Sequence, residues 1–468
     1  MKTLRGNLSL RTVLVVLACA AILLRAAYFA WAYHKTVADL DVASHPYLFV
    51  EQDSTSYFKI ALNLIQGRGY TDDVDLLRRN PGTMFRRAPL YSVLIGAVYY
   101  VLDREDTDVS VLYPENEAAR RIFETPVAVV MTVFNHVLGV LTVLLVGYMV
   151  AVLSKSRWAG LIVGIAFAAN LVKVATDNVT LPDALVTFFA MLSLMLFLRS
   201  GAGRSSTNVA LSGVCLGLSV LSKPVTMYLW VILGISLLLF SELRLGRRLL
   251  SVALFIVAAN VFPSLWTIQN GLVSGVYKYS TQADALMLQH RALGALMERD
   301  DLSLSAANAV LEQDAGKLIA KVERELGRPA NQAERDFAFG EVGLKFVMAN
   351  PSWYLRAHVK QLASSPLWGP GGRTGLLVRV LSITVVVLSA YSLYLLYRDK
   401  QYEIMYLFGS ILFYLMNAAV PAPAPQWRYK AWWEPFAFVL SGFAVARLVV
   451  LFMSGMDRLH WRCRRRLV

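Results

Sequence analysis

Long apolar runs separated by short basic segments constrain the fold of this chain more than any other feature. A transmembrane helix needs about 20 predominantly apolar residues. Runs of similar length occupy residues 12–33, 126–153, 159–175, 249–268, 376–397, 402–419 and 434–451. Shorter runs occupy residues 89–102, 181–198, 208–221 and 225–240. The pattern predicts an all-α polytopic membrane protein.

The composition agrees with this prediction and argues against a nucleic-acid partner. Of 468 residues, 56% are hydrophobic and 17% are charged, whereas soluble domains carry about 25% charged residues. The net charge of +14 is spread beside the apolar runs, without the basic patch and stacking aromatics of a nucleic-acid site. The basic tail from Arg458 to Arg466 is typical of a cytoplasmic topology signal, with attraction to lipid headgroups second.

Cysteine, histidine and glycine positions predict neither a cofactor nor a cleaved leader. The three cysteines form no disulfide framework, and the six histidines show no metal-ligand spacing. Gly67-Arg-Gly69 lacks the third glycine of a dinucleotide fingerprint, and no Walker motif occurs. The first apolar run has no convincing cleavage site, which favours a retained helix.

The distribution of basic residues predicts the topology. Lys and Arg clusters begin the chain, follow the runs at 126–153, 181–198, 225–240 and 376–397, and end the chain. By the positive-inside rule all of them belong in the cytoplasm, and this holds only if residues 89–102 do not cross. We therefore predict about ten crossings, both termini inside, and a juxtamembrane helix at residues 89–102.

This topology divides the chain into three parts. Residues 1–268 form a transmembrane module whose first outer loop covers residues 34–125. Residues 269–374 form a helical domain on the outer face, and residues 375–468 hold the last transmembrane helices and the basic tail. Within the outer domain, Asn331 and Glu334 fit a capping box, and Asn350-Pro351 should end the helix that follows.

The first outer loop contains polar groups that membrane anchoring does not need. Asp53 and Tyr57 are four residues apart and share a helix face. A Gly67-Arg-Gly69-Tyr70 turn follows, and Arg87 begins an Arg-Ala-Pro-Leu-Tyr corner. A loop acid is usually just solvated, but this combination favours a functional surface.

Cations at predicted outer membrane edges indicate an anionic ligand. Snorkelling explains single cases, and topology predicts few cations on this side. Several converging cations suit a phosphate, and we predict that at least two of these residues bind one, without deciding which. The cations are Arg86, Arg87, Lys223, Arg428 and Lys430.

Other polar residues near the apolar runs are weaker candidates. Asp183 begins a predicted span, where it either complements the helix dipole or belongs to the site. We interpret Arg25 as a snorkelling or helix-pairing residue, and Asn135-His136 as a hydrogen-bonded core pair. Glu434 stays a weak candidate near an outer edge.

Six segments in order resemble the GT-C superfamily of polytopic glycosyltransferases, in particular the family 39-like group around protein O-mannosyltransferases and the lipid A aminoarabinose transferase. Lys223 and Gln269 stand where arginine is common, and Asp53 lacks the Asp-Glu pair of true protein O-mannosyltransferases. The segments span residues 53–70, 87–91, 181–185, 213–224, 263–270 and 428–435.

The resemblance implies an inverting glycosyltransferase on the outer face of a bacterial or archaeal plasma membrane, with a polyprenyl-phosphate sugar as donor. The acceptor would be a lipid, a polysaccharide or a protein. Asp53 would be the general base that deprotonates the acceptor hydroxyl. No metal is predicted, although some relatives use one. The phosphate ligands would be Arg87, Lys223, Arg428 and Lys430, while Tyr57, Asp183 and Arg86 would shape the donor or acceptor site.

Two alternatives remain open at this point. A lipid or polysaccharide transporter would also have many helices and outer cations, but it should show paired repeats and broken helices near the midplane. We find no such internal symmetry in the sequence. A GT-C relative without catalytic activity is the second alternative, and the intact Asp53 segment disfavours it.

Overall fold

The structure, a computed structural model, describes residues 8–38, 52–71, 87–102, 126–367, 372–419 and 427–465. All regular elements in these ranges are helical, which confirms the predicted all-α class. The transmembrane module and first loop contain α1 Leu10–Ala38, α2 Gln52–Ile65, α3 Pro89–Val101, α4 Pro126–Leu153, α5 Arg157–Ala168, α6 Leu171–Asp177, α7 Asp183–Arg199, α8 Ser206–Ser222, α9 Leu229–Phe240 and α10 Leu245–Ser274.

The second half of the chain continues with helices of two kinds. The polar region, which corresponds to the predicted outer domain at residues 269–374, contains α11 Gln282–Leu286, α12 Leu293–Asp300, α13 Leu304–Leu326, α14 Gln332–Ala349 and α15 Pro351–Ser364. It also contains a π-helical segment at Met287–Ala292. The last three are α16 Gly372–Arg398, α17 Tyr402–Ala419 and α18 Lys430–Arg465. Short 3₁₀ turns occupy Pro224–Thr226, Ser365–Leu367 and Trp427–Tyr429.

Within the described ranges, five helices are long and apolar enough to cross a membrane, namely α1, α4, α10, α16 and α18. The pair α5 and α6 would add a sixth span, but it is bent by 57°. The bend lies at Asn170, whose side chain accepts hydrogen bonds from the amides of Val172 and Lys173 and so starts a new helix. The structure confirms a polytopic protein, whereas ten crossings and the positions of the termini stay predictions.

The membrane bundle is organised around α18. The first part of this helix is almost fully buried, including Trp433, Phe436 and Leu440. It packs against α16, α5, α17 and α4. Because its first residue lies beside the turn at Trp427–Tyr429, α18 fixes the position of Arg428 relative to the rest of the bundle.

Helices α2 and α3 pack together over the first turns of α4. Their shared core includes Tyr57, Phe58, Tyr91 and Tyr99, together with Met131 of α4. The ring of Tyr57 meets the ring of Tyr91 edge to face, with centroids 5.6 Å apart. The predicted helix at residues 89–102 is confirmed, and it buries an aromatic face against the loop helix that carries Asp53.

The polar region has a small core of its own, built around Leu288, Leu293 and Leu311. Asn331 and Glu334 form the predicted capping box, and α14 ends before Asn350-Pro351 as predicted. Helix α10 continues past residue 268 to Ser274, so the predicted start of the outer domain lies inside a helix. The division of the chain into three parts therefore stays a prediction.

Candidate functional site

The centre of the candidate site is the carboxylate of Asp53, in the first turn of α2. Arg87 Nη2 donates a hydrogen bond to its Oδ1 at 2.6 Å, and Arg428 Nη2 donates to its Oδ2 at 2.9 Å. The Asp53 side chain is 34% exposed, against 15% for Arg87 and 9% for Arg428. The carboxylate therefore lies between two guanidinium groups and remains accessible from outside.

The glycine turn after α2 positions Arg87. Gly67 and Gly69 have φ values of 71° and 92°, a region that favours glycine, and they reverse the chain after the helix. The following residue, Tyr70, donates its hydroxyl to the backbone carbonyl of Arg87 at 3.1 Å. Tyr70 also packs against Trp266 of α10, with ring centroids 4.8 Å apart. The turn motif thus has a structural role, which is to hold the backbone of Arg87 beside α2.

A second acid–cation pair lies at the break between α8 and the turn that follows it. Lys223 Nζ donates to Asp183 Oδ1 at 3.1 Å, and Trp432 Nε1 donates to the same oxygen. The Lys223 amine also lies 4.4 Å from the centre of the Trp432 ring. The other oxygen of Asp183, Oδ2, is buried and has no hydrogen-bond partner in the described part of the chain.

Tyr57 lies between the two pairs. The charges of Arg87, Lys223, Asp53 and Asp183 all act on its hydroxyl. Burial dominates and raises the pKa of Tyr57 above its ordinary value, so the phenol stays protonated. The Arg87 guanidinium lies 5.5 Å from the centre of the Tyr57 ring. Tyr57 is therefore an uncharged side chain that separates the Asp53 cluster from the pair of Lys223 and Asp183.

Lys223 stays charged in this setting. Burial has the largest single effect and lowers the pKa of its amine, but the Asp183 carboxylate and the smaller contributions of the Tyr57 and Tyr429 phenols and of Asp53 together outweigh it. The net effect raises the pKa of Lys223 above its ordinary value. The site thus combines three cations and two carboxylates in one small region.

The structure brings most of the predicted site residues together. Asp53, Tyr57, Arg87 and Arg428 meet at one point, and Asp183 and Lys223 form the neighbouring pair. Asp183, whose role was left open, and Lys223, a predicted phosphate ligand, therefore lie beside the predicted general base.

Lys430 is not part of this group. Its side chain is fully buried, and its amine donates to the carbonyl of Pro366 at 2.8 Å and to Ser382 Oγ at 2.9 Å. Residue 430 begins α18, where the chain turns from the preceding 3₁₀ turn into the helix, so Lys430 and Arg428 point to different places. The structure therefore places Lys430 apart from the Asp53 cluster, and its role as a phosphate ligand stays a prediction. Arg86 lies outside the described residues.

Trp432 and Tyr429 are site residues that the sequence reasoning missed. Tyr429 lies 5.3 Å beneath the Arg428 guanidinium and 6.0 Å from the Lys223 amine, measured to the ring centre. Aromatic rings attract cations through their negative faces. The signal in the sequence was the aromatic spacing in Trp427-Arg-Tyr429-Lys-Ala-Trp432-Trp433, where aromatics alternate with cations.

Asn135 and Tyr91 support the site from behind. Asn135 Nδ2 donates to the Tyr91 hydroxyl at 3.1 Å and to the carbonyl of Val179 at 2.9 Å. His136 Nε2 shares a hydrogen bond of 3.1 Å with Asn178 Oδ1. The predicted core pair is confirmed, and its bonds hold the segment that leads into Asp183.

Comparison with known proteins connects this geometry to a family. Residues 84–269 match the family model described as dolichyl-phosphate-mannose-protein mannosyltransferase. The matched range contains Arg87, Asp183 and Lys223, and it excludes Asp53 and Arg428. No curated protein matches this sequence.

Solved structures with the same arrangement of helices decide the fold. The oligosaccharyltransferase AglB from Archaeoglobus fulgidus, in complex with an inhibitory peptide and a dolichol-phosphate, is similar over 98% of this chain with a TM-score of 0.50 and 13% identity. The same enzyme in its apo form is similar over 97% of this chain, also with a TM-score of 0.50. The chain has a GT-C fold.

The GT-C fold and the family match confirm the predicted resemblance. The chain spans about half of the oligosaccharyltransferase, 52% of its length. ArnT from Cupriavidus metallidurans bound to undecaprenyl phosphate is a more distant match, with a TM-score of 0.38 and 12% identity over 90% of this chain and 77% of that one. The family match and the likeness to AglB support a polytopic membrane protein with a GT-C fold.

Proposed function

We propose that this protein is an inverting glycosyltransferase that moves a sugar from a polyprenyl-phosphate donor to an acceptor hydroxyl at the outer face of the plasma membrane. The observation that carries the proposal is the convergence of Arg87 and Arg428 on Asp53, across 34 and 375 residues of chain. Such a convergence of a carboxylate with cations is what transfer from a phosphate leaving group requires. The acceptor is a lipid, a polysaccharide or a protein.

The cations serve the donor. A sugar bound to polyprenyl phosphate carries a phosphodiester, and the departing phosphate gains charge as its bond to the anomeric carbon breaks. Arg87 and Arg428 suit bidentate contacts with phosphate oxygens, while Lys223 supplies a point charge. Hydrogen-bond donors that already point at the position of a developing negative charge lower the activation barrier, because the protein need not reorganise during the reaction. A dolichol-phosphate is bound in the similar oligosaccharyltransferase, which agrees with this type of donor.

Asp53 serves the acceptor. The acceptor oxygen attacks the anomeric carbon on the face opposite the phosphate, the carbon–phosphate oxygen bond breaks, and the hydroxyl proton passes to the Asp53 carboxylate. Polyprenyl phosphate leaves as the second product. Because an incoming phosphate competes for the same guanidinium groups, donor binding weakens their hold on Asp53 and frees its oxygens to accept the hydroxyl proton.

Asp183 completes the arrangement. Its Oδ1 is held by Lys223 and Trp432, and its buried Oδ2 has no partner in the described part of the chain. A buried carboxylate oxygen without a partner is costly. We assign Oδ2 to a hydroxyl group of the transferred sugar or of the acceptor. The proposed chemistry uses no metal.

The proposal is tested with purified protein in nanodiscs and a panel of polyprenyl-phosphate sugars, by measuring the release of polyprenyl phosphate. Wild type should turn over at least one donor, and Asp53→Asn should be slower by about 100-fold or more. Asp300→Asn is the matched control, because Asp300 is also paired with an arginine but lies in the polar region.

The outcomes separate the alternatives. If Asp53→Asn keeps the activity of Asp300→Asn, the general-base role is wrong. If no donor is turned over but labelled lipid moves between leaflets in a protein-dependent way, the protein is a transporter and the transferase proposal fails.

A further inference from the structure

A cavity of about 1060 Å³ lies at the end of the bundle opposite the candidate site. It is open to the surface and bordered by the turn between α4 and α5, the turn between α16 and α17, and the later turns of α18. Its polar lining residues include Lys155, Arg157, Arg398, Asp399 and Arg447. None of these residues takes part in the proposed sugar transfer.

Helix lengths place the cavity far from Asp53. The first turn of α4 packs with Tyr57 and Tyr91, whereas Leu153 at its other end lines the cavity. An α-helix rises about 1.5 Å per residue, so these ends are roughly 40 Å apart. The hydrocarbon core of a bilayer is about 30 Å thick. The cavity therefore faces the leaflet opposite the candidate site.

The charged residues that line the cavity are mainly positive. Four cations line it against one carboxylate, Asp399. Arg398 pairs with Asp399 at 2.9 Å, and Arg157 donates to the backbone carbonyl of Leu8 at 2.9 Å. The side chains of Lys155 and Arg447 make no ion pair or hydrogen bond with the described part of the chain. Topology explains basic residues at this end, but it does not explain a concave wall that gathers four of them.

The other wall of the cavity is apolar and faces lipid. Val152, Trp158 and Val450 line it and are 48%, 44% and 57% exposed. Tryptophan is enriched at the boundary between headgroups and acyl chains. The cavity thus places cations beside an apolar surface at headgroup depth.

We propose that this cavity binds an anionic phospholipid of that leaflet, with the phosphate at Lys155 and Arg447 and the acyl chains along Val152 and Val450. The inference is independent of the proposed glycosyltransferase activity.

Native mass spectrometry tests this inference. Detergent-purified protein is titrated with phosphatidylglycerol and with phosphatidylcholine of the same acyl chains. Each Lys or Arg near a headgroup contributes about 1 kcal/mol to the attraction of anionic lipid, which corresponds to about fivefold in affinity. Wild type should prefer phosphatidylglycerol by about tenfold or more, and Lys155→Gln/Arg447→Gln should reduce the preference to about twofold or less.

Two matched variants separate the cavity from general surface charge. Arg244→Gln/Arg247→Gln removes two exposed cations near the start of α10, outside the cavity, and should keep the preference. Val152→Trp leaves the charge unchanged, fills the cavity from an exposed position, and should lower phosphatidylglycerol binding. A melting curve for each variant confirms that it is folded. Equal binding of both lipids by wild type overturns the inference. So does a loss of the phosphatidylglycerol preference in Arg244→Gln/Arg247→Gln that equals the loss in Lys155→Gln/Arg447→Gln. Unchanged phosphatidylglycerol binding by Val152→Trp overturns it as well.

Discussion

Asp53 and Asp177 are each bound by two cations, and they differ mainly in burial. Asp53 receives Arg87 on one oxygen and Arg428 on the other. Asp177 at the end of α6 receives Arg25 of α1 on one oxygen and Lys173 on the other. The Asp53 side chain is 34% exposed, whereas that of Asp177 is fully buried. The same chemical arrangement thus occurs both beside an opening and inside the bundle.

Packing around Asp177 leaves no room for a ligand. A Cβ at Gly139 of α4 would collide with the Asp177 carboxylate and with Arg25. The buried cluster therefore joins α1, α4 and α6 and acts on stability. The Asp53 cluster instead joins the first loop to the start of α18, where a ligand can reach it. Burial, more than composition, distinguishes a structural ion cluster from a candidate site.

The largest expected effect comes from breaking the buried cluster. Asp177→Asn leaves Arg25 and Lys173 buried without a carboxylate, and removing one partner of a buried ion pair destabilises a protein by about 3–5 kcal/mol. We expect a marked fall in melting temperature or in the yield of folded protein. Asp53→Asn should change the melting temperature far less, because its partners are nearer solvent. Equal melting temperatures for the two variants would contradict the comparison.

The second prediction compares Arg428, which donates to Asp53, with Lys430, which donates to Pro366 and Ser382. Arg428→Gln should lower turnover by about 10²–10³-fold, the range for removing a donor to a developing negative charge. Lys430→Gln should instead lower the melting temperature, because it disturbs buried bonds to Pro366 and Ser382. Initial rates per folded molecule and melting curves of both variants check this. A large rate loss in a stable Lys430→Gln variant would return Lys430 to the site.

The third prediction concerns Trp432, which the structure adds to the site. Trp432→Phe keeps an aromatic ring beside Lys223 but removes the N–H group that donates to Asp183. Hydrogen bonds to charged groups contribute about 1.5–3 kcal/mol, so we expect turnover to fall by about 10–100-fold. Trp433→Phe is the control, since the Trp433 indole nitrogen has no hydrogen-bond partner in the described structure. Similar rates for both variants would remove Trp432 from the site.

The smallest expected effect is a pH dependence in the polar region. Arg291 Nη1 donates to His358 Nδ1 at 3.0 Å, so His358 Nε2 carries the proton and donates to Asn417 Oδ1 at 2.7 Å. Burial, opposed in part by the bond to Asn417, and the Arg291 charge lower the pKa of His358 below 6.5. Burial also lowers the pKa of His290, to about 4.

The sign of this dependence follows from the two shifts. Because the folded-state pKa values are depressed, the unfolded chain takes up these protons first as the pH falls. The stability that depends on the neutral histidines is present above pH 6.5 and decreases below it. We expect a lower melting temperature at pH 5.5 than at pH 7.5, with a smaller difference in His358→Gln. An unchanged difference in that variant would exclude His358 as a source.

The sequence predicted the elements of the fold better than their contacts. Apolar length predicted the membrane helices, and the gap between the runs at 208–221 and 225–240 predicted the break after α8, because these signals are local. Arg25 was interpreted as a snorkelling or helix-pairing residue, and its bond to Asp177 of α6 shows helix pairing. The bend at Asn170 was missed, since the apolar run continues through it.

For the site, too, the sequence predicted the residues better than the contacts between them. Asp53 and Arg87 belong to one recognisable loop, but the contact between Asp53 and Arg428 spans 375 residues and depends on how α18 packs. No local pattern distinguishes Arg428 from Lys430, because their directions are set where the 3₁₀ turn meets the helix. The residues could therefore be nominated from the sequence, whereas their grouping required the structure.

The most direct test of the central claim is a cryo-electron microscopy map of the protein in nanodiscs with a bound polyprenyl phosphate. We expect the phosphate to lie among Arg87, Lys223 and Arg428, within hydrogen-bonding distance of at least two of them, with the contacts of Asp53 to its two arginines loosened. A phosphate bound elsewhere, with Asp53 still held by both arginines, would contradict the assignment of this cluster as the donor site.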